Sequence, residues 1–216
     1  MGDRVLPRLV ADLRDAHGCH TLILYGSRAR GDATPVSDYD LIGFREGRAA
    51  TIHDARRIGG VWLDAFLCPD TTRPGTLMRV RGGRVLFQRD GFGDALLARL
   101  ERFHARGPKR LTPSEIESRT AWARKMLERM ARGDAEANYR RAWLLTALLE
   151  DYFAIRGLWF EGPKLALAWL RHNAPDTFRR FDRALRPRAE AATIEALVAD
   201  VVPLTSAPPG TRGARR

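Results

Sequence analysis

A chain of 216 residues, 44% hydrophobic and 29% charged, can bury a core in one domain or two small ones. Two cysteines, Cys19 and Cys68, exclude a disulfide scaffold or a cysteine-rich metal site, and each sits in an apolar stretch as a buried thiol would. No apolar run approaches the ~20 residues of a membrane span; the N-terminus is charged and amphipathic without an apolar signal core, so a cytoplasmic protein with no membrane partner is expected.

The net charge of +11 is unevenly placed: residues 1–105 carry 16 basic and 13 acidic side chains, residues 106–216 carry 21 and 13. A basic C-terminal half suits anionic partners such as triphosphate or nucleic acid. Thirty-four arginines against three lysines is also what a GC-rich coding bias produces, so charge alone names no partner.

In chain order, Val5, Leu6, Leu9, Val10 and Leu13 share one face of a helix over 3–17, with Gly18 as its stop. Thr21 to Tyr25 is a short apolar run read as a buried strand. Asp38 to Phe44 and Gly60 to Leu67 are further strands, Thr76 to Gln88 reads as a hairpin turning at Arg81-Gly82-Gly83-Arg84, and a helix follows from Asp94 to His104. The segment 105–110 is a linker. Beyond it Thr112-Pro113-Ser114-Glu115 has the form of a capping box opening a helical half, with helices expected over 113–132, 134–156, 162–173 and 175–201, the last broken at Pro187. The expected organisation is an α+β domain over 1–105, a helical domain over 106–203 and a disordered Pro/Gly-rich tail over 204–216.

The chemistry is concentrated in Leu24-Tyr25-Gly26-Ser27-Arg28-Ala29-Arg30-Gly31 and in Ser37-Asp38-Tyr39-Asp40-Leu41, with twelve residues from Gly26 to Asp38. On a strand, residues i and i+2 share a face, so Asp38 and Asp40 point together while Tyr39 and Leu41 turn into packing. Carboxylate oxygens are the donors that hard divalent cations take. Asp64 is a lone carboxylate in the apolar strand Val61–Leu67; burying it unpaired is costly, so a cation or donor should await it. Gly26 permits a tight turn and close approach to phosphate, and Ser27 supplies a hydroxyl at the head of a segment with free backbone N–H groups. Arg28 and Arg30 flank it as phosphate clamps.

This Gly-Ser, Arg-Gly, Asp-x-Asp pattern with a third strand-borne acid resembles the nucleotidyltransferase superfamily of DNA polymerase β, in particular its small bacterial members. Gly26, Ser27, Arg30, Gly31, Asp38, Asp40 and Asp64 match it residue by residue over roughly the first hundred positions. The resemblance implies a mixed sheet with flanking helices followed by a C-terminal helical bundle. It also implies Mg²⁺ (or Mn²⁺) on Asp38 and Asp40, and Asp64 completing the metal site or acting as general base. Ser27 would lie on the β/γ-phosphates of ATP or another nucleoside triphosphate. The implied reaction moves a nucleoside monophosphate, AMP foremost, onto a hydroxyl of a small molecule, protein or RNA, releasing pyrophosphate. The alternatives are an antitoxin-like adenylyltransferase acting on a partner protein or RNA, and a catalytically silent nucleotide-binding regulator.

The helical half resembles the acceptor domain of two-domain antibiotic nucleotidyltransferases, where a helical glutamate can act on the acceptor hydroxyl. Glu150 is the matching candidate; the competing reading is an ion pair with Arg141 or Arg156. Lys164, one of three lysines and placed in the first turn of a helix where cations are disfavoured, is a candidate contact for triphosphate or pyrophosphate. Arg-x4–6-His pairs of the kind found in helical RNase partners occur at Arg14/His20, Arg48/His53 and Arg99/His104. With 34 arginines and five histidines chance alone gives about two, so no RNase activity is read from them.

Overall fold

The computed structural model describes residues 5–47, 50–130 and 132–203. The chain divides into two compact units, 1–106 and 107–216, the first α+β and the second helical. The tail over 204–216 lies outside the described residues.

The first unit is built on a five-stranded mixed sheet in the order β3-β4-β2-β1-β5: β1 Thr21–Tyr25, β2 Tyr39–Arg45, β3 Ile52–Ile58, β4 Val61–Pro69 and β5 Arg84–Phe87. β2 and β4 run parallel, and every other neighbouring pair is antiparallel. The continuous apolar run TLILY makes β1 a strand buried on both faces. On one face Leu22, Leu24, Leu41, Leu63 and Leu67 pack under Leu9 and Leu13 of α1 (Leu6–Asp15). On the other, Ile23, Ile42, Phe44 and Cys68 pack under Leu77, Val80 and α3 (Phe92–Ala105), which contributes Leu96 and Leu100. Both cysteines are buried and free.

Two segments differ from expectation. Thr76 to Gln88 does not form a hairpin: Pro74–Val80 is a 3-10 helix, and only Arg84–Phe87 is a strand, paired with β1. Leu77 and Val80 are three residues apart, a helical and not an alternating spacing, and both are buried. Gly83 then passes so close to Ile23 and to the Val80 and Leu24 carbonyls that a Cβ would stand within 2.9 Å of each, which brings the chain tightly onto β1. The second difference is β3, which pattern reading misses. Its apolar residues Ile52, Ala55 and Ile58 lack period-two alternation, because it is a largely exposed edge strand carrying charge, as edges do.

The second unit comprises α4 (Pro113–Met130), α5 (Ala135–Ile155), α6 (Pro163–Asn173), α7 (Pro175–Ala184) and α8 (Ala191–Val201). α4 opens with the capping box in full: the Thr112 N–H donates to Glu115 Oε2 (2.7 Å) and the Glu115 N–H donates to Thr112 Oγ1 (3.2 Å). Asp134 caps α5 by accepting from the Ala137 N–H at 2.8 Å. The expected 175–201 helix is two helices, the gap between them containing Pro187. The core joins Leu144, Leu148 and Phe153 of α5 to Leu170, Phe181, Ile194 and Leu197. Inside it Asp151, 4% exposed, is paired with Arg119 of α4. Among the described residues, no helix is long and apolar enough to cross a membrane.

Candidate active site

β1 ends at Tyr25 and the chain turns into the single helical turn α2, Gly26–Arg30. Gly26 has φ +69°, and a Cβ added there would stand 1.9 Å from Asp40 Oδ2. Only a residue without a side chain lets the strand end and this carboxylate approach so closely. Ser27 is buried at the head of α2, and its carbonyl accepts the Asp32 N–H at 3.1 Å.

The antiparallel pairing of β1 with β2 sets Tyr25 opposite Asp40, and the parallel pairing of β2 with β4 sets Asp40 opposite Asp64. Tyr39 and Leu41 are buried toward α1, which leaves Asp40 on the α3-covered face with Ile42 and Phe44. Asp38 lies just before the first residue of β2 and is exposed, not within the strand as its spacing implied.

The electrostatics follow from this crowding. The Asp40 carboxyl is pushed up to about 6, first by burial, then by the negative charges of Asp38 and Asp64, with Arg30 and Arg79 opposing. The Tyr25 phenol is also raised, mainly by burial, with the three aspartates adding to it. A raised Asp40 carboxyl beside two further carboxylates would be relieved by a nearby cation, and carboxylate oxygens are the donors that hard divalent cations take. The oxygens of Asp38, Asp40 and Asp64 do not all lie within 4.8 Å of one another; among the described residues the group of three that does is Asp12, His17 and Asp54. There Arg56 already donates to both Asp12 and Asp54, so those carboxylates have a cation of their own.

Sequence reasoning missed two participants and gave a third the wrong partner. His53 of β3 bonds through Nε2 to Asp64 Oδ1 and stacks on Phe66, ring centroids 4.3 Å apart. As a lone histidine on an unrecognised strand it gave no signal. Arg79, on the segment expected to be a hairpin, lies 3.9 Å over the Phe66 ring and 5.9 Å from that of Tyr25, a cation beside the acidic group. Arg28, read as a phosphate clamp, is engaged otherwise. It donates from Nε to the Asp38 carbonyl (2.9 Å) and from Nη2 to the Ser37 carbonyl (2.6 Å), and its guanidinium lies 3.9 Å over Tyr39. It ties α2 to the segment that carries Asp38. Arg30 lies 3.4 Å from Asp32.

The first unit thus brings together Gly26, Ser27, Arg30, Asp38, Asp40 and Asp64 at one end of its sheet. Glu150 and Lys164 belong to the second unit, both exposed, on α5 and in the first turn of α6. Arg141 donates to the Ala184 and Arg186 carbonyls, and Arg156 donates to those of Tyr152, Asp200 and Val201. Neither arginine pairs with Glu150.

No protein-family model matches the chain, and no curated protein matches it. Among solved structures it is similar to a nucleotidyltransferase-like protein from Exiguobacterium sibiricum. The two share 14% identity over 89% of this chain and 73% of that one, at a TM-score of 0.44. At that distance the likeness assigns neither family nor activity to this chain.

Proposed function

We propose that the protein is a metal-dependent nucleotidyltransferase that moves AMP from ATP onto an acceptor hydroxyl and releases pyrophosphate. The observation that carries this reading is the packing of the Asp40 carboxylate on Gly26 and beside Asp64, next to the buried Ser27. Asp38 and Asp40 would hold Mg²⁺ or Mn²⁺, with Asp64 completing the set. The cation, when bound, would neutralise charge building on the non-bridging and leaving oxygens of the phosphates.

The chain's own groups supply the rest. Ser27 and the backbone of α2 receive the β/γ-phosphates, with Arg30 and Arg79 as nearby cations. The acceptor oxygen bonds to the α-phosphorus as pyrophosphate leaves, and the hydroxyl proton passes to a carboxylate, Asp64, which is bonded to His53.

The test is calorimetric titration of ATP, GTP, CTP and UTP with Mg²⁺ into wild type and the Asp38→Asn/Asp40→Asn variant. Metal-dependent binding of ATP, lost in the variant, supports the reading. Equal binding in both removes these aspartates from the site. Binding without turnover on any acceptor would favour the silent regulator.

A further inference from the structure

The first unit holds a hollow of about 380 Å³, within the ~300–1,000 Å³ of small-molecule sites, that none of the acidic-site residues lines. Its walls are Pro74 and Gly75 of the 3-10 helix, Arg99, Arg102 and Phe103 of α3, and Arg106 just beyond that helix. Positions 99, 102, 103 and 106 follow i, i+3, i+4 and i+7, so one helix face presents three guanidinium groups around one ring. The ring of Phe103 is left 38% exposed, while Leu96 and Leu100 of the same helix are buried in the core.

This face carries no counter-charge. Among the described residues, none of the three arginine side chains makes a hydrogen bond or ion pair, and no carboxylate lines the hollow. Glu101, the acid between Arg99 and Arg102 in sequence, accepts instead from Arg81 at 3.3 Å. One cation in the last turn would answer the helix dipole. Three around a single depression repel one another, and an anion placed among them relieves that repulsion.

Gly75 keeps the hollow open. Its backbone is one that any residue adopts, and glycine in a helical segment costs stability relative to alanine. A Cβ there would lie 3.9 Å from Phe103 Cζ, in contact without a clash, so the missing side chain is what leaves this end of the ring uncovered.

We infer that this hollow binds a phosphate ester of a planar ring, the phosphate held by Arg99, Arg102 and Arg106 and the ring packed on Phe103 and Pro74. Guanidinium forks match phosphate oxygens bidentately. Phosphate alone would leave the apolar wall wet, and an uncharged ring would leave the arginines without a partner. The site is formed within the first unit and does not rest on nucleotidyl transfer. A free mononucleotide and the 5′-phosphorylated end of a nucleic-acid strand both present this chemistry.

The test uses the full chain carrying Asp38→Asn/Asp40→Asn, in EDTA, so that no metal-dependent triphosphate site answers. 1-Naphthyl phosphate, inorganic phosphate and 1-naphthol are titrated while the Gly75 and Phe103 amide resonances are followed. Naphthyl phosphate should move both resonances and bind at least about tenfold more tightly than either part alone, with affinity falling as salt is raised. Adding Arg102→Gln/Arg106→Gln should weaken it by roughly tenfold or more, for the loss of two charge-assisted contacts. Adding Gly75→Leu should remove the advantage of naphthyl phosphate over inorganic phosphate, with the amide spectrum away from the hollow unchanged. The inference is overturned if naphthyl phosphate binds no better than phosphate or naphthol, or if the arginine variant binds as tightly as its parent. It is equally overturned if Gly75→Leu, folded by the same spectrum, keeps the preference. AMP against 5′-phosphorylated hexa-adenylate then tells the sources apart: tighter binding of AMP supports a free mononucleotide, and tighter binding of the strand supports a nucleic-acid end.

Discussion

The Cα of Gly26 lies against the carboxylate of Asp40, so close that a methyl group would stand 1.9 Å from Oδ2. One residue follows the end of the first strand and the other is the second residue of its antiparallel neighbour. Gly26→Ala should therefore do two kinds of harm. It forces a side chain into φ +69°, at a cost of about 1–2 kcal/mol, and it displaces the Asp40 carboxylate. Thermal melting should show the loss of stability, and Mg²⁺-dependent triphosphate binding should disappear. Wild-type binding in this variant would show that Asp40 does not hold a cation on which triphosphate binding depends.

Asp40 makes the metal-free protein less stable at neutral pH. Its carboxyl titrates near 6 in the folded chain against 3.8 in the unfolded one. The folded state holds the proton more tightly, so the stability it contributes is present below pH 3.8 and is lost as pH rises through 6. Asn resembles the protonated form. Asp40→Asn should therefore raise Tm at pH 8 in EDTA, with the advantage fading toward pH 4. The gain in stability should be no more than about 3 kcal/mol, and less because the open side of the carboxyl is solvated. A lower Tm for Asp40→Asn at pH 8 would contradict the crowding of the three carboxylates.

His53 should orient Asp64 more than it stabilises the fold. The pair is about half exposed, so His53→Ala should cost under about 1 kcal/mol. Removing a group that hydrogen-bonds a metal-binding carboxylate weakens metal affinity by roughly 10–100-fold. Mn²⁺ titration of His53→Ala should fall in that range, and unchanged affinity would make the His53–Asp64 bond an edge contact only.

Arg28 should be a positioning residue that lysine cannot replace. Its planar fork reaches two carbonyls, those of Ser37 and Asp38, while stacking on Tyr39. An ammonium offers a point charge without that geometry. Arg28→Lys should weaken Mg²⁺-dependent triphosphate binding nearly as much as Arg28→Ala, by roughly tenfold for the loss of a charged hydrogen-bonding group. Full rescue by lysine would return Arg28 to the role of a simple phosphate clamp.

In the helical unit, Arg119→Ala would strand the buried Asp151 carboxylate, whose affinity for protons burial already raises against the pull of Arg119. The expected cost is about 3–5 kcal/mol by denaturant unfolding. The double replacement Arg119→Met/Asp151→Leu should recover most of it, because no charge is then left buried.

Much of this architecture could be read from the residues because the signals were local. TLILY declares a buried strand, and Thr112-Pro113-Ser114-Glu115 declares a helix start, since each pattern carries its own physical cause within a few positions. Asp38 and Asp40 stood out through their spacing from Gly26, but where they would sit relative to Asp64 depended on strand order. That order was not readable, because β3, the edge strand that lets β4 return parallel to β2, carries Arg56 and Arg57 and no alternation. His53 went unnoticed with that strand, and Arg79 with the Thr76–Gln88 segment whose helical turn replaces a hairpin. Both reach the acidic group only through tertiary packing. The competing pairings of Glu150 with Arg141 or Arg156 were equally plausible by spacing, and were decided by helix-end carbonyls far along the chain.

The parallel ladder between β2 and β4 has a bearing on how the protein is made. Asp40 and Asp64 meet across the junction of two strands that the chain must leave and re-enter, with the edge strand β3 threaded between them in sequence. A ribosome-bound chain that has emerged only as far as β2 therefore displays Asp38 and Asp40 without their third carboxylate. The three carboxylates come together only with completion of the sheet, so on the proposed reading an incomplete chain would lack the full set that would hold the cation.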